Sequence, residues 1–161
     1  MQIMKIKSMY LVVLTLVTLA FVGCSKDDDN TPSDGKGKVK LTVTTSSSFD
    51  KTKGANIQVS VGSHDGNANP QKWKVNGQEL AAKTVYMYSE DDFQGGKTFT
   101  FESLDSYLGA SASITAMTTG AAYTLTYKIE EGGKVHDEGT VEVRSGNNPV
   151  SLPWNFSNYG K

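Results

Sequence analysis

"AYTLTYKIEEGGKVHDEGTVEVRSG", residues 122–146, is the stretch that decides the fold. Apolar side chains occupy every second position of its first half: Tyr123, Leu125, Tyr127 and Ile129. Gly132 and Gly133 follow, and Val141 and Val143 resume the alternation. Because successive side chains of a strand point to opposite faces of a sheet, this pattern predicts a β-hairpin with one buried face.

Short runs of the same kind fill most of the remaining chain: KVKLTVTT (38–45), NIQVSVG (56–62), TVYMYS (84–89), KTFTFES (97–103) and ASITAMT (112–118). QKWKVNGQEL (71–80) reads as a hairpin, because Asn76-Gly77 readily adopts the positive φ angles of a type I′ turn. PVSLPWNF (149–156) reads as an edge strand, because Pro149 and Pro153 cannot donate to a sheet ladder.

No alternation of strands with helices is visible, and only ESLDSYLGA (102–110) hints at one helical turn. The sequence therefore predicts an all-β fold, a single antiparallel immunoglobulin-like β-sandwich of about seven to nine short strands. A small antiparallel barrel is the competing architecture. The domain is expected to span residues 39–157, followed by a tail at 158–161. It contains no cysteine, so its core must hold without a disulfide.

The N-terminal segment has a different composition. Lys5 and Lys7 precede an uncharged run at 10–23, which is shorter than the roughly 20 apolar residues of a membrane-spanning helix. A basic start followed by a short apolar run predicts that residues 1–23 are a secretory signal peptide. Removing them leaves 14 basic and 17 acidic side chains without a basic stripe, so nucleic acid is not an expected partner.

The run FVGC (21–24) ends at the single cysteine of the chain and resembles the lipobox of bacterial lipoproteins. Leucine is more usual than Phe21 at the first of these positions. The resemblance implies a diacylglycerol thioether on Cys24, cleavage just before it, and attachment of the protein to a membrane. An ordinary signal peptide with a chance cysteine, or a short membrane anchor, is the alternative.

Residues 24–38 carry no large apolar side chain after Cys24 and predict a flexible tether. SKDDDN (25–30) resembles the export signal of Bacteroidetes surface lipoproteins, which implies that Lys26, Asp27, Asp28 and Asp29 direct the protein to the cell surface. The outer membrane with a surface-exposed domain is thus the expected location. The alternatives are the periplasmic face of that membrane and, for the charges, a merely solvated linker.

Catalytic chemistry finds little support in the sequence. His64 and His136 are the two histidines, and neither belongs to a recognisable nucleophile motif, so no catalytic residue, metal or cofactor is assigned. Two loops offer oxygen ligands of the kind calcium prefers: Asp65, Asn67 and Asn69 in one, and Glu90, Asp91 and Asp92 in the other. Ordinary turn chemistry explains both loops equally well.

Aromatic residues supply the candidate ligand face. Tyr86 and Tyr88 share one face of their strand, and Val85 and Met87 share the other, so one of the two pairs points outward or lies under a loop. An outward Tyr86/Tyr88 pair would suit a sugar ring. Trp73 is expected in the core, and Trp154 and Phe156 are expected to cover it.

These features predict a non-enzymatic, lipid-anchored binding or adhesion protein whose ligand is an unknown glycan or protein. A glycan-binding accessory lipoprotein is one version. A protein-interaction module, such as a toxin-immunity lipoprotein or a subunit of a surface complex, is the alternative. A hydrolase with an unrecognised site is a third possibility, which a cleft gathering Asp, Glu or His would favour.

Overall fold

The computed structural model describes residues 37–159. The predicted signal peptide at 1–23, the lipidation site Cys24, the export residues Lys26, Asp27, Asp28 and Asp29, and most of the tether lie outside the described residues. The described part contains ten strands: β1 (Val39–Thr45), β2 (Ala55–His64), β3 (Trp73–Val75), β4 (Gln78–Glu79), β5 (Tyr86–Tyr88), β6 (Thr98–Ser103), β7 (Gly109–Thr118), β8 (Tyr123–Glu131), β9 (Lys134–Val143) and β10 (Val150–Ser157).

The strands form two antiparallel sheets packed as a sandwich. The six-stranded sheet has the order β4-β3-β6-β1-β8-β9, and the four-stranded sheet has the order β10-β7-β2-β5. The prediction of an all-β sandwich is confirmed over the barrel alternative. The described part has ten strands, against the seven to nine expected. Residues 71–80 form the predicted hairpin as two very short strands, β3 and β4, around the Asn76-Gly77 turn. Both turn residues have the positive φ that was predicted, 48° and 83°.

The hairpin at 122–146 is confirmed as β8 and β9. Its register places Tyr127 opposite Gly139, and a bulge interrupts the pairing between Ile129 and Glu130. Strand β10 is an edge strand, as its prolines predicted. Among the described residues, no helix is long and apolar enough to cross a membrane.

The core lies between the two sheets and is built from the inward positions of the alternating strands. Trp73 is fully buried, and Trp154 and Phe156 are also buried, as predicted. The ring of Phe49 packs edge-on against Tyr123 with 4.9 Å between ring centroids. The Tyr123 hydroxyl donates a hydrogen bond to the carbonyl of Asn56 at 2.7 Å, and burial raises the pKa of this phenol above its usual value.

The helical turn occurs in a different place from the one predicted. Residues 102–110 contain no helix, whereas α1 (Glu90–Phe93) lies in a stretch that reads as a turn. The backbone N–H of Ser89 donates to the Asp92 carboxylate at 2.8 Å, and the acidic residues of the first turn favour a helix N-terminus. One further turn, of 3-10 helix, spans Lys51–Lys53.

Loops contact one another at both ends of the sandwich. At the end where β1 begins, the Val39 end, Gly37 lies against Asn158 just beyond β10. At the opposite end, the Thr45 end, neighbouring loops bind one another. The Lys51 amide donates to Gln94 Oε1 at 2.9 Å, and Gln94 Nε2 donates to Asp50 Oδ1 at 3.1 Å. Gln94 therefore joins its own loop to the Asp50–Lys51 loop at the Thr45 end.

Candidate functional site

The outer surface of the four-stranded sheet, as far as the structure describes it, has no acidic or basic side chains. Its inward positions, such as Ile57, Val59 and Ile114, are buried, so the alternate positions face outward. Among the described residues of this surface there is no Asp, Glu, Lys or Arg. We call it the neutral face and define it as Asn56, Gln58, Ser60, Met87, Ser111, Ser113, Thr115, Met117, Ser151, Pro153, Asn155 and Ser157.

The register of the sheet arranges these side chains in rows. One row crosses all four strands and consists of Met87, Ser60, Ser113 and Pro153. Strands lie about 4.8 Å apart, so the row is about 15 Å wide. The hydroxyls of Ser60 and Ser113 are within hydrogen-bond distance of each other, at 2.8 Å. The neutral face is therefore a continuous sheet surface of small hydroxyl and amide groups.

The outer surface of the six-stranded sheet is built differently. Lys40 on β1 pairs with Glu102 on β6 at 3.2 Å, and Lys128 pairs with Glu130 at 3.0 Å. Both sheets need polar groups on the solvent side, but charge is confined to one of them. Solubility alone therefore does not account for the uncharged composition of the neutral face.

Exposed apolar side chains accompany the neutral face. Met87 is 61% exposed and Met117 is 40% exposed, and Val85, 47% exposed, lies directly before β5. Large exposed apolar groups that share a surface with uncharged polar groups are typical of the central part of a binding interface.

Tyr86 and Tyr88 do not lie on this face, which corrects the expectation of an outward tyrosine pair. Their cross-strand partners on β2 are Val61 and Val59, both inward positions. Tyr86 is buried and donates its hydroxyl to the carbonyl of Ala81 at 2.7 Å. Tyr88 packs on the core rings of Phe99 and Phe101, each at 5.1 Å. The pair that points outward from this strand is Val85 and Met87.

A groove of about 400 Å³ opens at the Val39 end of the neutral face. We call it the sheet-face groove; its lining includes Gly62, His64, Val85, Gly109, Ser111 and Asn155. Gly62 lets the backbone of Thr84 and Val85 pass directly over β2, because a Cβ there would collide with the Thr84 carbonyl. The passing backbone forms one wall of the groove.

A second, larger cleft of about 610 Å³ gathers carboxylates at the same end of the molecule. We call it the carboxylate cleft; its lining includes Asp65, Gln71, Lys72, Glu79 and Asp105. The Asp65 carboxylate accepts hydrogen bonds from the Asn69 side chain and from two backbone N–H groups of its own loop, and these lower its pKa. Glu79 bonds to Lys72 at 2.7 Å, which lowers the pKa of Glu79.

The lowered pKa values of Asp65 and Glu79 bear on whether the carboxylate cleft could cleave a glycosidic bond. A general acid for glycoside cleavage needs a carboxyl whose pKa is raised by burial or by a like charge. Asp65 and Glu79 are shifted in the opposite direction and stay ionised at neutral pH. The cleft meets the first criterion for a hydrolase, a gathering of acidic groups, but these two groups lack the electrostatics of an acid catalyst.

Several acidic groups of the two loops considered for calcium already have partners in the protein. Asp65, Asn67 and Asn69 form one self-bonded turn, Asp92 bonds to the start of α1, and Asp91 is paired with Lys51. Within residues 37–159, no three His, Cys, Asp or Glu side chains converge as a metal site.

Both histidines are exposed, and each has its own local contact. His64 Nδ1 accepts a hydrogen bond from the Gly66 amide at 3.1 Å, and the His136 ring packs edge-on against Phe156 at 5.0 Å. His64 contributes to the lining of the sheet-face groove, whereas His136 contacts the edge strand β10.

The neutral face was not anticipated from the sequence, although its signal is present there. The positions between the buried ones of β2, β7 and β10 are Ser, Thr, Asn, Gln, Met or Pro throughout. Comparing the outward positions of all strands, rather than the inward ones alone, would have shown that charge is missing from only one sheet.

The fold resembles that of solved proteins. No protein-family model matches the chain, and no curated protein matches it. Three solved structures are similar. A DUF4425 domain of unknown function from Bacteroides vulgatus has a TM-score of 0.53 at 15% identity, covering 77% of this chain and 96% of that one. A DUF4425 family protein from Bacteroides ovatus has a TM-score of 0.54 at 11% identity, covering 76% and 95%.

The third is the calcium-bound form of a protein from Parabacteroides distasonis, with a TM-score of 0.56 at 17% identity, covering 81% of this chain and 99% of that one. Identities this low establish a shared fold alone. The described domain is thus a β-sandwich with the fold of DUF4425 family proteins from Bacteroides.

Proposed function

We propose that this chain is a lipid-anchored, non-enzymatic binding protein of a Bacteroidetes-type cell surface, and that its neutral face binds an uncharged glycan. One observation carries the binding proposal: the outward positions of the four-stranded sheet, as far as the structure describes them, contain no Asp, Glu, Lys or Arg, while the other sheet is charged.

The physical reason lies in desolvation. A charged side chain covered by an uncharged ligand loses its hydration without gaining a partner, whereas a hydroxyl or amide exchanges water for a ligand hydroxyl. The neutral face offers closely spaced donors and acceptors such as Ser60, Ser113 and Thr115, with Met87 and Met117 as apolar patches. Sugars carry both kinds of group, hydroxyls on the ring edge and C–H groups on its faces.

The anchoring part of the proposal rests on the sequence. Cys24 in the FVGC motif supports lipid attachment, and Lys26 with Asp27, Asp28 and Asp29 supports export to the surface. The cysteine and the first residue of β1 are fifteen positions apart. A chain of that length reaches at most about 50 Å when fully extended, enough to hold the domain clear of the lipid headgroups.

The similar Parabacteroides distasonis structure is a calcium-bound form, which raises the question of whether residues of this chain fit a calcium ion. One observation favours a ligand at the carboxylate cleft: Gln71 Oε1 is buried and has no hydrogen-bond partner within the described residues. The Lys72 ammonium lines the same cleft, however, and Asp65 is occupied by its own loop. Within the described residues no three acidic or histidine side chains converge as ligands, so the cleft does not fit calcium, which needs six to eight oxygen ligands.

A protein partner is the second candidate, and the exposure of Val85, Met87 and Met117 favours it. An immunity lipoprotein or a subunit of a surface complex would bury these side chains against the partner. Both candidates use the same face, so the ligand class rather than the location separates them.

The test is binding to neutral glucans, mannans and galactans by isothermal titration calorimetry, with polygalacturonate as the acidic comparison. Thr115→Glu places a charge on the neutral face, and Thr126→Glu places one on the exposed face of β8 as the control. We expect Thr115→Glu to weaken binding of a neutral polymer about tenfold or more, and Thr126→Glu to leave it unchanged. Failure of every neutral polymer to bind, or equal effects of both variants, overturns the proposal.

A further inference from the structure

We infer that the sheet-face groove is the subsite for a single uncharged sugar ring within the neutral face. This inference rests on the proposed function and makes it more specific, because it assigns the strongest contact of the ligand to one end of the face. Its position follows from β2 and β7, where Gly62 is paired with Ser111 and His64 is paired with Gly109.

The shape of the groove depends on two glycines, Gly62 and Gly109, which leave space where other residues would have a side chain. A Cβ at Gly109 would lie 2.5 Å from His64 Nε2, so the absence of a side chain allows the imidazole to lie over β7. Thr84 and Val85 close the opposite side above Gly62. The volume of this open groove, about 400 Å³, is within the range of roughly 300 to 1,000 Å³ that is usual for small-molecule sites.

Hydrogen-bonding groups of both kinds line the groove. Ser111 faces Asn155 across the β7–β10 pairing, which sets a hydroxyl beside an amide. His64 Nδ1 accepts the Gly66 amide hydrogen, so in the neutral ring Nε2 carries the proton and is a donor at the Gly109 side of the groove. A hydroxyl-rich ligand can therefore both donate and accept here.

The remaining lining is mostly apolar, with Ser63 and Thr84 as its other polar residues. Val85 is 47% exposed at the rim, and Phe156 and Pro70 complete the wall. No Asp, Glu, Lys or Arg lines the groove among the described residues. An anionic or cationic ligand would lose hydration without a counter-charge, whereas an uncharged ring places its C–H face on Val85 and its hydroxyls on Ser111, Asn155 and His64.

The groove and the rest of the face can be separated by ligand length. Thr115 lies four residues beyond Ser111 on the same side of β7, about 13 Å away. A disaccharide seated in the groove ends short of Thr115, whereas a long polymer covers both positions. Ser111→Trp fills the groove, and Thr115→Trp adds the same bulk outside it.

The experiment uses saturation-transfer NMR and calorimetry with maltose, cellobiose, lactose and mannobiose on the whole chain. Far-ultraviolet circular dichroism and melting curves establish that each variant is folded. We expect Ser111→Trp to reduce affinity for the binding disaccharide more than tenfold, Asn155→Ala to reduce it about 3- to 10-fold, and Thr115→Trp to leave it unchanged.

The outcomes distinguish the two proposals. If a neutral polymer binds and Thr115→Glu weakens it, but no disaccharide binds or Ser111→Trp has no effect, the groove inference is wrong and the proposed function stands. If neither polymers nor disaccharides bind, both proposals fail. A matched loss of disaccharide binding in Ser111→Trp and Asn155→Ala, with Thr115→Trp unaffected, supports both.

Discussion

Trp154 Nε1, on the edge strand of the four-stranded sheet, donates a hydrogen bond to Asp137 Oδ2, on the edge strand of the six-stranded sheet, at 3.0 Å. The indole also packs against Tyr127, with 5.5 Å between ring centroids. Strands β9 and β10 belong to different sheets, so this bond ties the two layers together along one open side of the sandwich.

Replacing the indole tests this tie. We predict that Trp154→Phe lowers the free energy of unfolding by about 1–3 kcal/mol, because it leaves a carboxylate without its donor and removes part of a buried ring. Asp137→Asn keeps an oxygen acceptor and should lower it less. Urea unfolding followed by circular dichroism measures both, and equal losses would contradict the role given to the hydrogen bond.

A second tryptophan has a buried partner. Trp73 Nε1 donates to the Ser63 hydroxyl at 3.0 Å inside the core. We predict that Ser63→Ala destabilises the domain by about 1–3 kcal/mol, because the indole N–H is left buried and unpaired. Against a Trp73→Phe background the same change should have a smaller effect. Additive losses in this double-mutant cycle would show that the two side chains do not interact.

A carboxylate in the loops of the Thr45 end makes the stability of the domain depend on pH. Hydrogen bonds from Thr52 and Gln94 lower the pKa of Asp50 from 3.8 to about 2. A lowered folded-state pKa means that the stabilisation from ionised Asp50 is fully present above about pH 4 and is lost as the pH falls through about 2. Asp50→Asn, which retains a helix-capping side chain, should lack this component.

The measurement is the urea midpoint of wild type and Asp50→Asn from pH 7 to pH 2. The difference between the two proteins should stay constant down to about pH 4 and shrink below it. A difference that is the same at pH 7 and at pH 2 would rule out the assigned role of the Asp50 carboxylate.

Calcium offers a comparison with the similar Parabacteroides distasonis structure. Because Lys72 lines the carboxylate cleft and Asp65 is bonded to its own loop, we predict that neither calcium chloride nor a chelator shifts the melting temperature. A ligand present at 100 times its dissociation constant would add about 2.7 kcal/mol and several degrees. A shift of that size would show that this chain also binds calcium.

The anchor is testable in cells. Cys24→Ala should release the protein from the membrane fraction, because one cysteine carries all of the proposed acyl chains. External protease on intact cells should cleave the wild-type domain, and replacing Asp27, Asp28 and Asp29 by Ala should protect it. If both proteins are cleaved to the same extent, the acidic triplet is not the export signal. If the wild-type domain is protected, it lies on the periplasmic side.

Much of the fold was predictable because burial of one sheet face imposes a period-two pattern. Each long strand was located from that pattern, and Trp73, Trp154 and Phe156 were assigned to the core for the same reason. The turn at Asn76-Gly77 was predictable because few residue pairs tolerate two positive φ angles.

The rest of the fold depended on which strands, loops and side chains contact one another, and a hydrophobic period along the sequence does not specify these contacts. Around Tyr86, both faces of the strand carry apolar or aromatic side chains, so the sequence pattern does not show which face is buried. Only the register with β2 decides between Tyr86 and Val85. The helix α1 depends on local hydrogen bonds between Ser89 and Asp92, which an S-x-x-D search would have found. The grooves arise where loops from distant parts of the chain meet.

The position of β1 has a mechanical consequence. Strand β1 lies in the middle of its sheet, antiparallel to both β6 and β8. If Cys24 holds the lipid as proposed, a force on a bound ligand reaches the membrane through Val39, at the start of β1. The component of that force along β1 loads the hydrogen bonds to both neighbours together in shear, whereas an edge strand could be peeled away one bond at a time. The strand nearest the anchor is thus the one best placed to resist extraction while the protein holds a ligand under tension.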